Sequence, residues 1–253
     1  MRVVSLVPSL TEAVAVSAPG ALVAATDWCT HPAGLGPGVV RIKGTKNPDI
    51  PAILRLRPDL VIANEEENRP ADLAELRDAG LEVLVTEVRT LDQAFTELER
   101  VLTAVGRTSG LPRWLDEARA AWAAPEPIAP LSAVSSASSV PSVSAVVPIW
   151  RRPWMVLGRD TFAGDLLARL GVVNIHAGHA DRYPRIPVDQ LRSSGAQLAV
   201  LPDEPYRFTA DDGPEAFPGL PAALVSGRHL TWYGPSLAEA PAVLGAALRA
   251  ALC

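Results

Sequence analysis

The residues in this sequence best suited to chemistry are aromatic rings and charged groups that stand together in short segments. The segment WRRPW at 150–154 places two indole rings and two guanidinium groups within five positions. Indole faces suit a large flat ligand, and guanidinium groups suit its carboxylates. Trp150 and Trp154 are therefore candidate ligand contacts. The alternative is a cation–π contact, in which an arginine packs on a tryptophan of the protein itself.

A second candidate segment, residues 27–32, collects an indole, a thiol and an imidazole. Trp28 offers an aromatic face, whereas Cys29 and His31 carry side chains that can bind a metal. Because free cysteines are commonly buried, the alternative is a packed tryptophan, a half-buried Cys29 and a surface His31. His176 and His179 would share a face only in a helix, and Gly178 favours a loop. The sequence therefore predicts no metal site made by the protein alone.

Acidic residues follow two apolar runs of the sequence. Glu65 and Glu66 come after the run LVIA at 60–63, and Asp203 and Glu204 come after a run that ends at Leu201. Facing carboxylates can serve as general acid and base, but solvated acidic loops are the simpler interpretation. The sequence has no Gly-x-Ser-x-Gly elbow, no His-Glu-x-x-His helix and no dinucleotide-binding glycine motif. We therefore predict that the chain is not an enzyme, with a carboxylate-dependent enzyme as the alternative.

These segments lie between elements that alternate in type along the chain. Apolar runs of strand length alternate with helical patterns of about ten to fifteen residues, which predicts an α/β fold with parallel sheets. We predict strands at 3–7, 22–26, 60–63, 81–86, 143–149 and 197–201, and helices at 9–17, 50–56, 70–79, 90–105, 111–123, 161–170 and 188–194. Ser9 and Glu12 have the spacing of a capping box at the first helix. A short strand from Arg41 leads into a polar loop, where Lys46 faces either an anionic ligand group or solvent.

Composition and linker-like segments divide the chain and exclude some partners. The Ala-, Pro- and Ser-rich stretch at 125–142 predicts a flexible linker, which gives an N-terminal lobe at 1–106, a linking helix and linker at 107–142 and a C-terminal lobe at 143–253. The net charge of −5 argues against a nucleic-acid partner. The N-terminal residues contain no signal-peptide pattern, and no run is long enough to insert into a membrane. We expect a cytoplasmic monomer.

Four phrases of the sequence resemble one protein family. They are SLVPSLTE at 5–12, RPDLVIANEEEN at 57–68, GLEVLV at 80–85 and GRDTFAGDLLARLGVVNI at 158–175. Together they resemble the helical-backbone periplasmic binding proteins that serve ABC importers of cobalamin, haem and iron siderophores. The resemblance extends over almost the whole chain outside the linker. It implies two Rossmann-like lobes with central parallel sheets, joined by a linking helix, with a ligand cleft between the lobes.

The resemblance also implies a ligand and a partner. The ligand would be a cobalamin-like or ferric-siderophore-like metal chelate, with no covalently bound cofactor. Such proteins dock on an ABC permease through an acidic residue that is replaced here near Arg69, although Asp72 or Glu75 can substitute for it. A cytoplasmic small-molecule binding or sensing module, not coupled to transport, is therefore the alternative. The predicted contacts with the ligand are Ser9, Trp28, Cys29, His31, Lys46, Glu65, Glu66, Trp150, Trp154, Tyr206, Trp232 and Tyr233, the last two in a predicted loop at 227–236.

Overall fold

The computed structural model describes residues 1–106, 110–128 and 142–253 of the chain. It divides into two compact units, and both combine helices with parallel sheets. Unit 1 comprises Met1–Val88, Asp92–Glu117 and Tyr233–Pro235, and unit 2 comprises Arg89–Leu91, Ala118–Trp232 and Ser236–Cys253. The predicted α/β class is thus confirmed. The predicted lobe boundaries and the cleft between the lobes stay predictions.

Unit 1 is built on a five-stranded parallel sheet. Its strands are β1 (Val3–Ser5), β2 (Leu22–Ala25), β3 (Val40–Arg41), β6 (Leu60–Asn64) and β7 (Val83–Thr86), in the order β3-β2-β1-β6-β7. A small antiparallel hairpin, β4 (Lys43–Gly44) and β5 (Asn47–Pro48), occupies part of the predicted polar loop. The helices are α1 (Pro8–Ser17), α2 (Ile50–Leu56), α3 (Pro70–Asp78), α4 (Leu91–Ala104) and α5 (Arg113–Ala123), of which α5 continues into unit 2 at Ala118.

Prolines and an aspartate determine where two helices of unit 1 begin. The predicted capping box at Ser9 is wrong, because α1 already starts at Pro8 and its N-cap is Val7, with no side-chain cap. Proline suits the first helical position because its φ is fixed and its missing N–H would have no partner there. Ser9 is therefore an interior residue of the first turn. In α2, by contrast, Asp49 caps the helix, since its carboxylate accepts a hydrogen bond from the Ala52 N–H at 3.0 Å.

Unit 2 is built on a four-stranded parallel sheet with an added hairpin. The sheet strands are β8 (Val143–Val146), β11 (Val172–Asn174), β12 (Leu198–Pro202) and β13 (Ala222–Val225), in the order β11-β8-β12-β13. The hairpin consists of β9 (Pro148–Arg151) and β10 (Trp154–Val156). The helices are α6 (Phe162–Arg169), α7 (Val188–Arg192), α8 (Gly227–Thr231) and α9 (Ala240–Leu252).

Several sequence predictions for unit 2 were wrong in detail. The strand predicted at 143–149 is divided, because Pro148 has no N–H for a sheet ladder and instead begins the hairpin. The segment 150–154 is consequently the end of that hairpin and not a loop. The strands β11 and β13 were not predicted, since three or four residues show no periodicity of their own and depend on pairing with β8 and β12. The predicted loop at 227–236 contains α8.

Each unit has its own apolar core. In unit 1 the core includes Leu6, Ile42, Ile53, Val61 and Leu76, and in unit 2 it includes Val146, Leu191, Leu201, Phe208 and Phe217. Most of the predicted linker, residues 129–141, lies outside the described residues. Its beginning belongs to unit 2, because Ile128 is buried and its N–H donates to the Leu170 carbonyl at 3.0 Å. Among the described residues, no helix has the length and apolar character needed to cross a membrane.

Candidate functional site

The loop after β6 in unit 1 is held by two buried asparagines. Asn64 ends the strand, and its amide nitrogen donates to the Thr86 carbonyl at 3.0 Å and to the Thr86 hydroxyl at 3.2 Å. Its amide oxygen accepts hydrogen bonds from the backbone N–H groups of Glu66 at 2.9 Å and Glu67 at 3.3 Å. Asn64 therefore fixes the backbone of the acidic loop directly beyond the carboxyl end of a central strand, where open parallel sheets bind ligands.

Asn68 closes the other end of this loop. Its amide oxygen accepts the Asn64 N–H at 2.9 Å, while its amide nitrogen donates to the carbonyls of Thr45 at 2.9 Å and Leu6 at 3.4 Å. Both asparagines satisfy their polar atoms in a buried position, as buried polar groups must. Sequence reasoning missed their role. The available signal was an asparagine at the end of an apolar strand with a second asparagine four positions later.

The acidic residues of the loop differ in their surroundings. Glu65 is exposed, whereas Glu66 and Glu67 are half-buried. Burial raises the pKa of the Glu67 carboxyl; Lys46 acts in the opposite direction, and Glu66 adds to the rise. The Lys46 ammonium group donates a hydrogen bond to the Glu66 carbonyl oxygen. Lys46 thus holds the loop from the side of the β4–β5 hairpin, and Glu65 is the carboxylate most open to solvent.

Ser9 and Tyr233 come together in unit 1, although they are far apart in the sequence. Both side chains are buried, and a Cβ added to Gly234 would lie 3.0 Å from the Ser9 carbonyl oxygen. Burial raises the pKa of the Tyr233 phenol well above its usual range, and the carboxylates of Glu67 and Glu66 add to the rise. Hydrogen bonding with the side chains of Thr86 and Ser9 acts in the opposite direction. Tyr233 is therefore a neutral phenol next to the acidic loop.

The three residues predicted in the loop after β2 have different environments. Trp28 is 66% exposed and packs by one edge against Gly44, where an added Cβ would lie 3.3 Å from the indole nitrogen. His31 is partly exposed, and its Nδ1 lies 3.1 Å from the Thr30 hydroxyl. The loop itself is fastened by Arg41, whose guanidinium donates to the carbonyls of Thr26 at 2.7 Å and Cys29 at 3.0 Å. The indole face is thus presented to solvent from a fixed backbone.

Cys29 does not reach the surface, so the structure contradicts its predicted contact with the ligand. Its side chain is 0% exposed, and its Sγ lies 3.0 Å from the Thr11 hydroxyl and 3.2 Å from the Thr26 hydroxyl. Burial raises the pKa of the thiol, so the neutral form is favoured. The alternative prediction, a half-buried Cys29 beside a packed Trp28, is not what the structure shows either, because the thiol is fully buried and Trp28 is exposed.

In unit 2, the two tryptophans of the β9–β10 hairpin have different roles. Trp150 is 42% exposed, lies edge-on to Tyr206 with ring centroids 5.6 Å apart, and donates from its indole nitrogen to the Arg152 carbonyl at 3.3 Å. Trp154 instead packs inward, stacked on Phe208 at 6.1 Å with the Arg151 guanidinium 5.4 Å from its ring. The cation–π alternative is therefore correct for Trp154, while Trp150 keeps an open aromatic face.

Acidic side chains neutralise the arginine of this hairpin. The Arg151 guanidinium forms ion pairs with Asp212 and Glu215, and the Tyr206 hydroxyl donates to Asp212 at 2.6 Å. The pKa of Glu215 is lowered, first by the Gly213 N–H and also by Arg151. Arg151 therefore serves the protein's own carboxylates and does not offer a free positive charge to a ligand.

The acidic segment after β12 contacts α8. The Asp203 carboxylate accepts the Gly227 N–H at 2.6 Å, and the Glu204 carboxylate accepts the Trp232 indole N–H at 3.0 Å. Trp232 and Tyr233 are each only 7% exposed, so neither presents the open stacking surface that was predicted. A tryptophan with an internal hydrogen-bond partner is buried at low cost.

The two histidines considered as metal ligands follow β11 in unit 2. His176 lies in a turn and His179 comes directly after that turn, so neither lies in a helix. Burial lowers the pKa of His176, to which His179 contributes further, and His179 Nδ1 accepts the Asp181 N–H at 2.9 Å. Across 1–106, 110–128 and 142–253, no three metal-binding side chains form a group that could hold an ion.

Comparison with known proteins identifies related chains. Residues 3–202 match the model of a family described as "Periplasmic binding protein". A Vitamin B12-binding protein of Vibrio cholerae serotype O1 is 26% identical over 201 residues, which cover 75% of this chain and 66% of the relative, slightly less than two thirds of its length.

Solved structures share the fold. The periplasmic heme-binding protein RhuT from Roseiflexus sp. RS-1 in apo form superposes with a TM-score of 0.79 at 21% identity, over 100% of this chain and 99% of that chain. The siderophore-binding protein FhuD of Vibrio cholerae, bound to Fe3+-Desferal, gives a TM-score of 0.72 at 15% identity, over 99% and 98%. At these identities the likeness concerns the fold alone.

Proposed function

Because the chain belongs to the periplasmic binding protein family, we propose that it binds a metal chelate at loops beyond the carboxyl ends of its parallel strands. Members of this family bind substrates, so the prediction of a binding protein and not an enzyme is confirmed. We propose cobalamin or a related corrinoid as the ligand, with a ferric siderophore as the second candidate. The B12-binding relative supports the first, whereas the second follows from the resemblance seen in the sequence, because the likeness to a siderophore-binding structure concerns the fold alone.

One observation carries the proposal. Each unit presents one strongly exposed tryptophan, and each tryptophan follows the carboxyl end of a parallel strand: Trp28 follows β2, and Trp150 follows β8 by way of the hairpin. Exposing an indole face leaves a large apolar surface in water, and stacking on a flat ligand removes that surface from water. Both segments are fastened by internal hydrogen bonds, so the rings lose little freedom when a ligand binds.

The polar groups of these segments suit a ligand that carries amide groups. Arg151 already pairs with Asp212 and Glu215, and Lys46 already contacts the Glu66 backbone. Glu65 is exposed at the edge of unit 1 and can accept hydrogen bonds from amide groups. A corrinoid has amide groups around its ring that such a carboxylate can contact. Polar contacts of this kind orient a ligand, while the indoles supply most of the apolar contact.

Docking to an ABC permease is the second part of the proposal. Asp72 is buried and forms a two-pronged ion pair with Arg69, with nitrogen–oxygen distances of 2.9 and 2.8 Å. Glu75 lies on the same helix and is exposed, so we propose Glu75 as the docking acid. The alternative remains a sensing module without a permease. The cytoplasmic location stays a prediction, and fractionation of cells that express the protein tests it.

Titration of the purified chain tests the proposed ligand. Cyanocobalamin, haem and ferric desferrioxamine are each added while tryptophan fluorescence and heat are recorded. We expect saturable quenching and heat with cyanocobalamin, and a large loss of affinity when Trp28 and Trp150 are both changed to alanine. Trp114→Phe is the matched control, because the Trp114 indole is part-buried and donates to the Ser17 hydroxyl at 2.9 Å. If none of the three chelates gives heat or quenching, the proposed function is wrong.

A further inference from the structure

Two acidic residues of unit 2 stand at the carboxyl-end edge of its sheet. Asp203 and Glu204 follow β12 directly, and α8 follows β13 after Ser226. The two strands are parallel neighbours whose last residues, Pro202 and Val225, lie opposite each other. The Asp203 N–H also donates to the Val225 carbonyl at 3.1 Å. The acidic pair and the start of α8 therefore share the edge at which parallel sheets bind ligands.

The two carboxylates contact opposite ends of α8. Asp203 accepts the N–H of Gly227, the first residue of the helix, at 2.6 Å. Glu204 accepts the indole N–H of Trp232, the residue that follows the helix, at 3.0 Å. Hydrogen bonds to a carboxylate are stronger than those between neutral groups. Removal of the Glu204 carboxylate would take this acceptor away from the buried Trp232 indole N–H, which costs free energy.

The approach of α8 to the acidic pair is unusually close. A Cβ added to Gly227 would lie 2.6 Å from both the backbone nitrogen and the Cβ of Glu204. A side chain at this position would therefore have to displace either the helix or the backbone of the loop. Glycine at 227 permits the helix to start in direct contact with residue 204.

Glu239 supports α8 from α9. His229 lies between the Ser226 hydroxyl, 2.7 Å from Nδ1, and the Glu239 carboxylate, 2.9 Å from Nε2. Arg228 also reaches Glu239, at 3.3 Å. The pKa of Glu239 is lowered, first by His229 and then by Arg228, after the opposing effect of burial. The helix is thus fastened by carboxylates that belong to two different parts of unit 2.

We propose that Asp203 and Glu204 are positioning residues that hold α8, and through it the ligand-facing edge of unit 2, in the conformation that binds the chelate. The identity of the ligand in this proposal rests on the proposed function, whereas the fastening of α8 does not. The acidic loop is then not simply solvated. Glu204 acts by accepting a hydrogen bond from Trp232, and its negative charge is not required. A glutamine at 204 retains an oxygen acceptor, whereas an alanine does not.

The test compares Glu204→Ala with Glu204→Gln in the full chain. Hydrogen exchange of the peptide covering 226–232 is measured without ligand, and affinity for cyanocobalamin is measured by calorimetry. We expect faster exchange and at least about fivefold weaker binding in Glu204→Ala, with both values restored towards wild type in Glu204→Gln. Asp211→Ala, which removes an exposed carboxylate of the same unit, should leave both unchanged. Gly227→Ala should increase exchange in the same peptide, with the Glu204 side chain intact.

The outcomes separate this proposal from the proposed function. Unchanged exchange in Glu204→Ala overturns the fastening of α8, and faster exchange with unchanged affinity overturns its role in binding. A further outcome is that Glu204→Gln shows the slow exchange of wild type but the weak affinity of Glu204→Ala. In that case the charge itself contacts the ligand, and the positioning role is overturned. If the wild-type chain binds none of the chelates, the proposed function fails with the binding role, while the exchange measurements still decide whether Glu204 holds α8.

Discussion

Trp28 and Trp150 differ from the other four tryptophans in how much of the indole ring meets solvent. Trp114 and Trp122 donate their indole N–H groups to protein acceptors at 2.9 and 3.0 Å, and Trp232 does the same towards Glu204 at 3.0 Å. Trp154 is packed among aromatic rings of its own unit. A large exposed apolar surface in a folded protein commonly marks a binding site. Exposure therefore separates the two residues for which stacking on a ligand is proposed.

Trp150→Ala should weaken binding of cyanocobalamin about tenfold, because loss of one stacked ring removes apolar contact and an aromatic interaction. Calorimetric titration measures the change. The fold should be unaffected, since Trp150 contacts Tyr206 only edge-on and its indole nitrogen bonds to the backbone of its own hairpin. Trp150→Phe, which keeps an aromatic face, should lose less affinity. Equal affinity in the alanine variant and wild type would remove Trp150 from the site.

Glu67 gives a prediction about pH. Its folded-state pKa is raised by burial, so its contribution to stability is present below the unfolded pKa and is lost as pH rises through the folded pKa. Lys46 lowers the pKa of Glu67. Glu66 and the buried phenol of Tyr233 also lie near Glu67, but neither compensates the charge of the Glu67 carboxylate. Glu67→Gln should therefore raise the free energy of unfolding at pH 7 by roughly 1 kcal/mol.

Urea denaturation at several pH values measures this effect. The gain in Glu67→Gln over wild type should shrink as pH falls below the usual glutamate range near about 4.3, because the wild-type carboxyl is then neutral in both states. Glu65→Gln is the matched control: Glu65 is exposed, so its substitution should change stability little at either pH. A Glu67→Gln variant that is less stable than wild type at pH 7 would show that the ionised carboxylate is stabilised in the fold.

At the scale of elements, the helix α6 illustrates what local sequence determines. Thr161 is its N-cap, and the threonine hydroxyl accepts the Gly164 N–H at 3.3 Å. Thr161→Ala should lower the free energy of unfolding by about 1 kcal/mol, because the first turn loses its side-chain acceptor. Chemical denaturation provides the measurement, and Thr161→Ser should retain most of the stability. Equal losses in both variants would mean that packing of the threonine methyl group, and not the cap, is what matters.

Elements that carry their own local signals were predictable from the sequence, and elements that depend on partners were not. The helices from α1 to α7 were predicted near their observed bounds, because prolines, caps and terminal glycines such as Gly80 and Gly171 punctuate the chain. The strands β11 and β13 and the β9–β10 hairpin were missed, since their conformation comes from pairing with other strands. Local pattern alone also gave no sign that α8 lies within the segment 227–236.

The candidate site was only partly predictable for a related reason. The aromatic and acidic residues were recognised by type, but their exposure depends on contacts made far along the sequence. Cys29 is buried because Thr11 and Thr26 surround its sulfur, and Trp232 is buried because Glu204 accepts its indole N–H. Composition cannot distinguish these residues from Trp28 and Trp150. Their roles follow from which side chains the fold leaves open.

At the scale of the whole molecule, the family's fold is retained although few residues are identical. Solved relatives superpose with TM-scores of 0.79 and 0.72 although only 21% and 15% of residues are identical. The buried strands determine the architecture, and similar architectures can be built from many apolar sequences. The shared architecture therefore does not determine the ligand, and under the proposed function that choice falls to the residues at the strand ends and to the charge of the chain.

The net charge of −5 leads to a prediction that distinguishes ligand classes. Repulsion between the protein and an anionic chelate acts at long range and is screened by salt, whereas an uncharged corrinoid feels little of it. Affinity for cyanocobalamin should change less than about twofold between low ionic strength and about 0.5 M salt, where the Debye length is only a few ångströms. A chelate with several carboxylates should bind more weakly at low salt and gain affinity as salt increases.

Calorimetry at the two ionic strengths measures the affinity for each of the two ligands. The Trp150→Ala variant is the control, because loss of a stacked ring should weaken binding equally at both ionic strengths. If an anionic chelate instead binds most tightly at low salt, local positive charge governs the site and the preference for a corrinoid is wrong.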